Sequence, residues 1–462
     1  DRRARAALLS GGDGFGVSRV AVIGAGIAGL TIAFRLRDAH DVTVFESEPI
    51  AGGKIRSQSI DGYLFEWGPT GFLSRAAELV ALARDAGLGE ELTEAGAAAA
   101  KRFIYWNGAL HELPTKPPRM LAMDLLSPWG KLRALGDLFA RRPTPLAAAD
   151  DAIDESVFGF ARRHFGREVA ERIVAPALLG VSAGDAASTS VSAMFPRLRE
   201  LEQAHGSVIR GMIRGGATPG RLTGFGPAGM QRLTDRLAEL LGSRIRYATP
   251  VDRLEPLGDG WRVHAGGDPL DVDTVIVTSP ADAAATMLGD CDEALAGELR
   301  AIPYAPMRVA GIGFRATDVP VPLDGFGFLA ARGAGVRILG ALYTSTIAPG
   351  QAPPDTAYLR TFLGGTTDPA AVELDADAAR AIVLADLITT LGIRAQPLAY
   401  HEVVWPRAIP QYRLDHPARL ARIDARVALH PGLALGGNAY RGLGVGDTVN
   451  DALAIANRLL SR

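Results

Sequence analysis

Val20-Ala21-Val22-Ile23-Gly24-Ala25-Gly26-Ile27-Ala28-Gly29-Leu30 is the stretch on which the fold turns. An apolar run ends in three glycines spaced Gly-x-Gly-x-x-Gly, and a helical pattern opens directly after them. Roughly 20 residues on, Val42-Thr43-Val44-Phe45 reads as a second strand and ends on Glu46. Strand, glycine turn, helix and acid at that distance make a dinucleotide-binding unit. Gly24 allows the tight turn, Gly26 lets a diphosphate approach the backbone, and Gly29 lets the helix pack close to the strand. The unpaired N–H groups of the first helical turn, Ile27 and Ala28 among them, suit the diphosphate. Glu46, followed by Ser47, suits the hydroxyls of an adenosine ribose. The glycines taken alone also fit a turn in an ordinary α/β unit.

A second glycine element follows in Ala51-Gly52-Gly53-Lys54-Ile55-Arg56. A glycine pair lets backbone pass close to a bulky ligand with N–H groups turned outward. A nicotinamide cofactor has no need of it; FAD, which lies extended, needs a cradle for its far end. The unit closes on Phe65-Glu66-Trp67-Gly68-Pro69-Thr70. At the other end of the chain, Leu433-Ala434-Leu435-Gly436-Gly437-Asn438 reads as a strand, and Gly442, Gly444 and Gly446 feed a final helix to Leu460. Such a helix points its positive end at one spot, which a flavin needs at its N1–C2 edge. Singly, the second glycine pair reads equally as a turn and the last glycines as a helix cap. Together they give FAD as the expected cofactor. Its expected contacts are Gly24, Gly26, Ile27, Ala28, Gly29, Glu46, Ser47, Gly52, Gly53, Lys54, Gly68, Pro69, Thr70, Val251, Gly437, Asn438, Gly444 and Val445. Gly224-Phe225-Gly226-Pro227-Ala228-Gly229 repeats the glycine spacing but lacks a preceding apolar strand. With no second nucleotide unit for NAD(P)H, reoxidation falls to oxygen or another non-nicotinamide acceptor.

The 462 residues suit two or three domains, and 48% hydrophobic with 22% charged content is ordinary for a globular enzyme. A net charge of −2 gives nothing to a nucleic-acid partner. The single cysteine, Cys291, excludes an intrachain disulfide and a thiol metal site, and the scattered histidines suggest no metal. No apolar run reaches the ~18–20 residues that span a bilayer. Residues 1–18 are Arg-, Ala- and Gly-rich without a signal-peptide core and read as a disordered leader. The expected location is the cytoplasm, with the inner face of the cell membrane as an alternative site of residence.

Helical patterns run from about Arg75 to about residue 214, interrupted by a hairpin whose Asn107-Gly108 turn joins Arg102–Trp106 to Ala109–Leu113. Residues 114–146 combine six prolines with Met120, Leu121, Met123, Leu125, Leu126 and Trp129, interleaved with Lys116, Arg119, Lys131, Arg133, Arg141 and Arg142. That mixture suits a membrane interface, and equally a loop and helix capping a core. Short strands are expected at Arg244–Tyr247, Val251–Glu255, Trp261–His264 and Thr274–Val277. The first three resemble the three-stranded excursion that precedes the last parallel strand of a flavin domain. From about 305 to 405 the alternation is that of an antiparallel sheet, with one long helix near 374–391.

Several segments carry a resemblance. They are Lys101-Arg102-Phe103-Ile104-Tyr105-Trp106-Asn107-Gly108-Ala109-Leu110-His111-Glu112-Leu113-Pro114, Gly180-Val181-Ser182-Ala183-Gly184-Asp185, and Phe195-Pro196-Arg197-Leu198. Later ones are Gly325-Phe326-Gly327-Phe328-Leu329, Ile409-Pro410-Gln411-Tyr412 and Gly437-Asn438-Ala439-Tyr440-Arg441-Gly442. With the opening unit, they resemble the protoporphyrinogen/coproporphyrinogen oxidase family of the FAD-dependent amine oxidase and phytoene desaturase superfamily, from Arg19 onward and in the family's order. The chain departs from it at Ser182, where the family favours an aromatic residue, and around Asp447.

The resemblance implies a Rossmann-type, glutathione-reductase-like α/β FAD-binding domain from residues 19–70, 215–282 and 430–462. It implies an α+β substrate domain with an antiparallel sheet from 71–90 and 283–429, and an inserted helical, membrane-associated domain over 91–214. It also implies that Arg102 meets a substrate propionate and that Phe103 and Gly180 line the pocket. Phe326 and Leu329 are expected to sandwich a tetrapyrrole, with Phe362 beside it. Read without the resemblance, Arg102 is a solvated hairpin residue; its planar guanidinium nonetheless suits a carboxylate. The implied reaction is a six-electron oxidation of a porphyrinogen in haem biosynthesis, by hydride transfer to the flavin and release of hydrogen peroxide. The implied partners are the tetrapyrrole, oxygen, a membrane surface and a second copy of the chain. Two alternatives stay open: a related amine oxidase or desaturase, and a non-catalytic flavoprotein that binds porphyrin.

Overall fold

The computed structural model describes residues 17–114, 123–141, 154–215 and 220–461. The leader up to residue 16 and, from the proline-rich stretch, Lys116, Pro117, Pro118, Arg119, Met120, Leu121, Arg142, Pro143 and Pro145 lie outside them.

The opening strand Arg19–Ile23 lies in the middle of a five-stranded parallel sheet. The order is Ile245–Arg246, Asp41–Phe45, Arg19–Ile23, Thr274–Val277, Leu433–Leu435. Val20 and Val22 are buried toward one face and Ala21 and Ile23 toward the other, because the sheet is covered on both faces. One face carries the opening helix Ile27–Leu36, the closing helix Val445–Leu460 and Gln231–Leu241. The other carries an antiparallel sheet and helices Ala281–Leu288, Glu293–Arg300 and His416–Val427. The two chain ends thus meet in one sheet.

The small sheet differs from the expected excursion. Its strands are Arg253–Leu257, Gly260–His264 and Leu270–Val272. Leu270–Val272 is only three residues long, too short to show an alternation. The stretch expected as Arg244–Tyr247 instead pairs in parallel with Asp41–Phe45 at the sheet edge.

A seven-stranded sheet holds the rest, in the order Ala399–Pro410, Tyr304–Arg315, Thr356–Gly364, Ile338–Tyr343, Gly327–Ala330, Phe103–Trp106, Ala109–Glu112. The hairpin placed with the helical segment 91–214 therefore belongs to this sheet, through parallel pairing of Phe103 with Phe328. Helix Ala376–Leu391 covers one face, where Leu359 and Leu363 point. The period of two sends Tyr358 and Phe362 to the other face, onto Tyr63, Phe65 and Trp67. Gly311 and Gly313 make that contact: a Cβ at either would stand 2.2–2.4 Å from Phe65 or Tyr63. Phe65 stacks on Trp67 at 5.2 Å and meets Tyr358 edge-on at 5.5 Å.

The remaining helices pack around Val157, Phe160, Leu178, Val191 and Val208. Buried His164 joins them, its Nδ1 2.5 Å from Asp137 Oδ1 and its Nε2 3.1 Å from Glu202 Oε1. Asp137 Oδ2 also accepts from Ser207 Oγ and the Ile209 N–H.

Candidate active site

Each glycine of the opening turn has a distinct steric reason. Gly24 sits at φ +104°, a region that side chains disfavour. A Cβ on Gly29 would lie 1.9 Å from the Gly24 carbonyl oxygen, so the helix could not close on the strand. A Cβ on Gly26 would meet nothing within 4 Å. Gly26 is also the N-cap of the opening helix and offers no side-chain cap, so Ile27 and Ala28 begin a helix whose donors face outward. Space beside uncapped donors is what a diphosphate requires.

Glu46 is buried at the end of its strand. Its carboxylate accepts from the Ala25 N–H at 2.7 Å and the Glu48 N–H at 2.9 Å, with Ser47 Oγ at 3.3 Å. The carboxylate is therefore already aimed at the glycine turn. The Glu46 N–H donates to the Arg246 carbonyl, and the Thr249 N–H donates to the Glu46 carbonyl, which brings half-buried Val251 alongside.

The second glycine pair docks on the first turn. The Gly52 N–H donates to the Ala25 carbonyl at 2.9 Å, and a Cβ on Gly53 would stand 3.3 Å from Gly26 Cα. Lys54 follows, its Nζ donating to the Ala408 carbonyl at 2.6 Å over the Tyr304 ring. Burial and the neighbouring Arg407 charge bring the Lys54 ammonium down to about 8. Gly68 lies against Lys54, where a Cβ would come within 1.8 Å of the Lys54 carbonyl oxygen. From the far end of the chain, Gly437 turns at φ +106° and the Asn438 carbonyl accepts from Tyr412 Oη at 2.8 Å. Gly444 is the N-cap of the closing helix, again without a side-chain cap, and Val445 is its first residue. Two open helix starts on one sheet, with a buried acid and a docked glycine pair, fit an extended dinucleotide.

Of the residues expected to meet a substrate, Phe362, Leu329 and Phe103 lie on the seven-stranded sheet, Phe103 on the face opposite Leu329 and Phe362. Phe362, Gly340 and Leu329 occupy one rung across three adjacent strands. Gly340 turns at φ +154°, and a Cβ there would stand 2.2 Å from the Phe328 carbonyl oxygen, so the glycine lets the strands approach closely between Phe362 and Leu329. Leu329 in turn rests against Gly180, where a Cβ would lie 2.4 Å from a Leu329 methyl. Leu179 joins the cluster of Phe362 and Trp67. Phe103 abuts Gly325, and the exposed Arg102 guanidinium lies 5.1 Å from the Phe326 ring. Phe326 and Leu329 do not share a cluster: Phe326 packs with Leu342 and Ile347, Leu329 with Trp106 and Ala331.

Two residues that the sequence reading passed over lie beside the expected ones. Gly340, in the middle of the rung, was marked only by a glycine inside a strand pattern, which signals close backbone approach. Arg360, 3% exposed, donates to Thr70 Oγ1 at 2.7 Å and to the Gly68 carbonyl, and its guanidinium lies over Phe362. It ties the loop Gly68-Pro69-Thr70 to the substrate face. Its mark was a lone cation in the apolar run Tyr358–Leu363. Burial lowers its affinity for its proton.

A family model described as flavin containing amine oxidoreductase matches residues 27–460. The chain belongs to that family. This flavin containing amine oxidoreductase is an FAD-dependent oxidoreductase, and within the family it groups with the protoporphyrinogen and coproporphyrinogen oxidases. It is 30% identical to the mitochondrial protoporphyrinogen oxidase of Nicotiana tabacum, over 96% of this chain and 95% of that protein. It is 29% identical to the coproporphyrinogen III oxidase of Bacillus subtilis (strain 168), over 96% of this chain and 98% of that protein. A crystal structure from Exiguobacterium sp. 255-15 superposes with a TM-score of 0.81 at 25% identity, covering 97% of this chain and 100% of that one.

Proposed function

We propose that this oxidoreductase oxidises a porphyrinogen to the porphyrin, removing six electrons in three rounds, with oxygen as acceptor. The observation that carries the reading is the apolar rung of Phe362, Gly340 and Leu329, faced by Leu179 and Gly180. Arg360 links that rung to the expected flavin loop. Apolar faces suit a flat macrocycle, and the names of the relatives supply its chemical class.

FAD held there would supply a two-electron hydride acceptor, reoxidised by oxygen with release of hydrogen peroxide. The chain's own residues bind and orient. Arg102 receives a propionate through charge-assisted hydrogen bonds. Leu329 and Phe362 exclude water from the ring, Phe326 lies beside Arg102 at its edge, and Gly180 gives Leu329 room; Phe103 packs on the opposite face of the sheet beside Phe328 and supports the strand that carries Arg102. Ile27, Ala28 and Val445 offer N–H groups to the cofactor, and Glu46 accepts from its ribose. Holding the ring against its acceptor is the main demand of hydride transfer. No dedicated side-chain base is required, since pyrrole protons can leave to water.

The flavin unit in this reading comprises residues 19–70, 215–282 and 430–462, and the substrate unit comprises 71–90 and 283–429 together with the hairpin at 103–112. The helical unit docks on a membrane surface. Trp129, Leu132 and Phe139 point outward at i, i+3 and i+10, with Trp129 78% and Phe139 84% exposed. Ile213, 67% exposed, stands on the helix Val208–Gly215, which packs beside Phe139's turn. Lys131, Arg141 and Arg214 lie near them in sequence, a mixture suited to anionic lipid. Among the described residues no helix is long and apolar enough to cross a membrane.

The test is a substrate panel read by peroxide formation. Protoporphyrinogen IX or coproporphyrinogen III should consume oxygen and release peroxide, while primary amines and polyenes should not. Turnover of an amine alone would overturn the reading.

A further inference from the structure

Among the described residues two arginines are buried, and the molecule treats them differently. Arg308, on the strand Tyr304–Arg315, forms an ion pair with Glu402 and donates to the Leu374 carbonyl. Arg360 lies on the neighbouring strand, Thr356–Gly364, and its acceptors are neutral. One terminal nitrogen donates to Thr70 Oγ1 at 2.7 Å and the other to the Gly68 carbonyl. Its Nε has no partner among the described residues, and none of their carboxylates forms an ion pair with it. Glu66 acts on it from further off. The oxygens of Glu66 are engaged elsewhere, Oε1 by the Met230 N–H and Oε2 by Ser57 Oγ, each at 2.7 Å.

A guanidinium keeps its proton in the interior, so Arg360 carries a charge. Burying a charge costs free energy unless an opposite one offsets it. Gly68 and Thr70 orient the guanidinium without neutralising it, whereas Arg308 has its carboxylate. The missing countercharge points to an anion from outside the chain, and the position of Arg360 narrows the choice. It grips the loop expected at FAD and lies over Phe362. A substrate carboxylate would have to shed its water to reach so buried a group. The FAD diphosphate is expected at the open helix starts after Gly26 and Gly444, which leaves the flavin ring. That ring is neutral when oxidised, and hydride gives it one negative charge. A fixed cation in a water-poor setting favours the ring after that transfer over the ring before it.

We propose that Arg360 is a positioning residue whose charge, acting across the Gly68–Thr70 loop, stabilises the reduced flavin and raises its potential. Glu66 opposes it. The inference rests on that loop meeting the flavin, as in the reading above, and not on which substrate is oxidised.

The midpoint potential of the FAD-loaded protein, measured against a reference dye during dithionite reduction, tests this without a substrate. In Arg360→Met, flavin reduction should become at least tenfold less favourable, a fall of about 30 mV for two electrons. Arg360→Lys keeps the charge and should stay within threefold of wild type. A potential unchanged in Arg360→Met, or equal falls in both variants, would overturn the proposal, because loss of the fork alone would then explain the result. Should Arg360→Met fail to fold or to take up FAD, Glu66→Gln decides. It keeps the hydrogen-bonding shape and leaves Arg360 in place. Burial raises the proton affinity of Glu66, so the potential is read at pH 8 to favour its ionised form. Reduction should become at least threefold more favourable there; an unchanged or lower potential would overturn the proposal. If neither porphyrinogen is oxidised, the substrate reading has failed while the potentials still decide the role of Arg360.

Discussion

Arg102 stands exposed at the end of its strand with its guanidinium 5.1 Å from the Phe326 ring. It is therefore held in orientation, and among the described residues no carboxylate is bonded to it. Arg102→Ala should cost about 1.5–3 kcal/mol of substrate binding, the range for a hydrogen bond to a charged group, and raise KM accordingly. An unchanged kcat/KM on porphyrinogens would remove Arg102 from the site. Lys54 makes a pH prediction. Its folded pKa, about 8, lies below the usual lysine range because the ammonium is buried. An anionic dinucleotide favours the charged form, so FAD binding should take up a proton. Affinity for FAD should then fall as pH rises through 8, and Lys54→Met should flatten that dependence. A wild-type affinity constant from pH 7 to 10 would contradict the role. At this scale the glycines were legible, because each obeys a steric rule visible in spacing. Arg360 and Gly340 were not placed, because their importance depends on which strand lies beside them.

Among the elements, the alternation along Thr356–Gly364 and the Asn107-Gly108 turn were readable locally. The partner of the hairpin was not. Phe103 pairs with Phe328, more than two hundred residues away, and nothing in either segment's own pattern names the other. For the same reason Ile245–Arg246 was grouped with its sequence neighbours, although it pairs with Asp41–Phe45. Residues 129–139 present an apolar stripe that the described residues leave exposed. Replacing Trp129, Leu132 and Phe139 with serine should lower co-sedimentation with anionic vesicles severalfold while leaving turnover of dispersed substrate intact. Equal sedimentation of variant and wild type would mean the stripe does not meet lipid. The replacements leave intact the buried Asp137–His164 contact, which ties the turn Gly136–Phe139 to helix Val157–Phe165.

For the whole molecule, the decisive architectural fact is the meeting of Arg19–Ile23, Thr274–Val277 and Leu433–Leu435 in one parallel sheet. Glycine turns at both ends of the chain predicted that closure. How the seven-stranded sheet is pressed against it was hidden, because it depends on Gly311 and Gly313 yielding space to Phe65 and Tyr63. The resulting contact places Phe362 and Arg360 against Gly68 and Thr70, so the loop expected at the cofactor and the face expected at the substrate pack against each other. Pairing a tetrapyrrole with a flavin across that seam is the central claim, and anaerobic mixing tests it most directly. The FAD-loaded protein mixed without oxygen with coproporphyrinogen III or protoporphyrinogen IX should lose its oxidised-flavin absorbance within one turnover as porphyrin absorbance grows. A flavin that stays oxidised with both porphyrinogens, yet bleaches with an amine, would contradict the account.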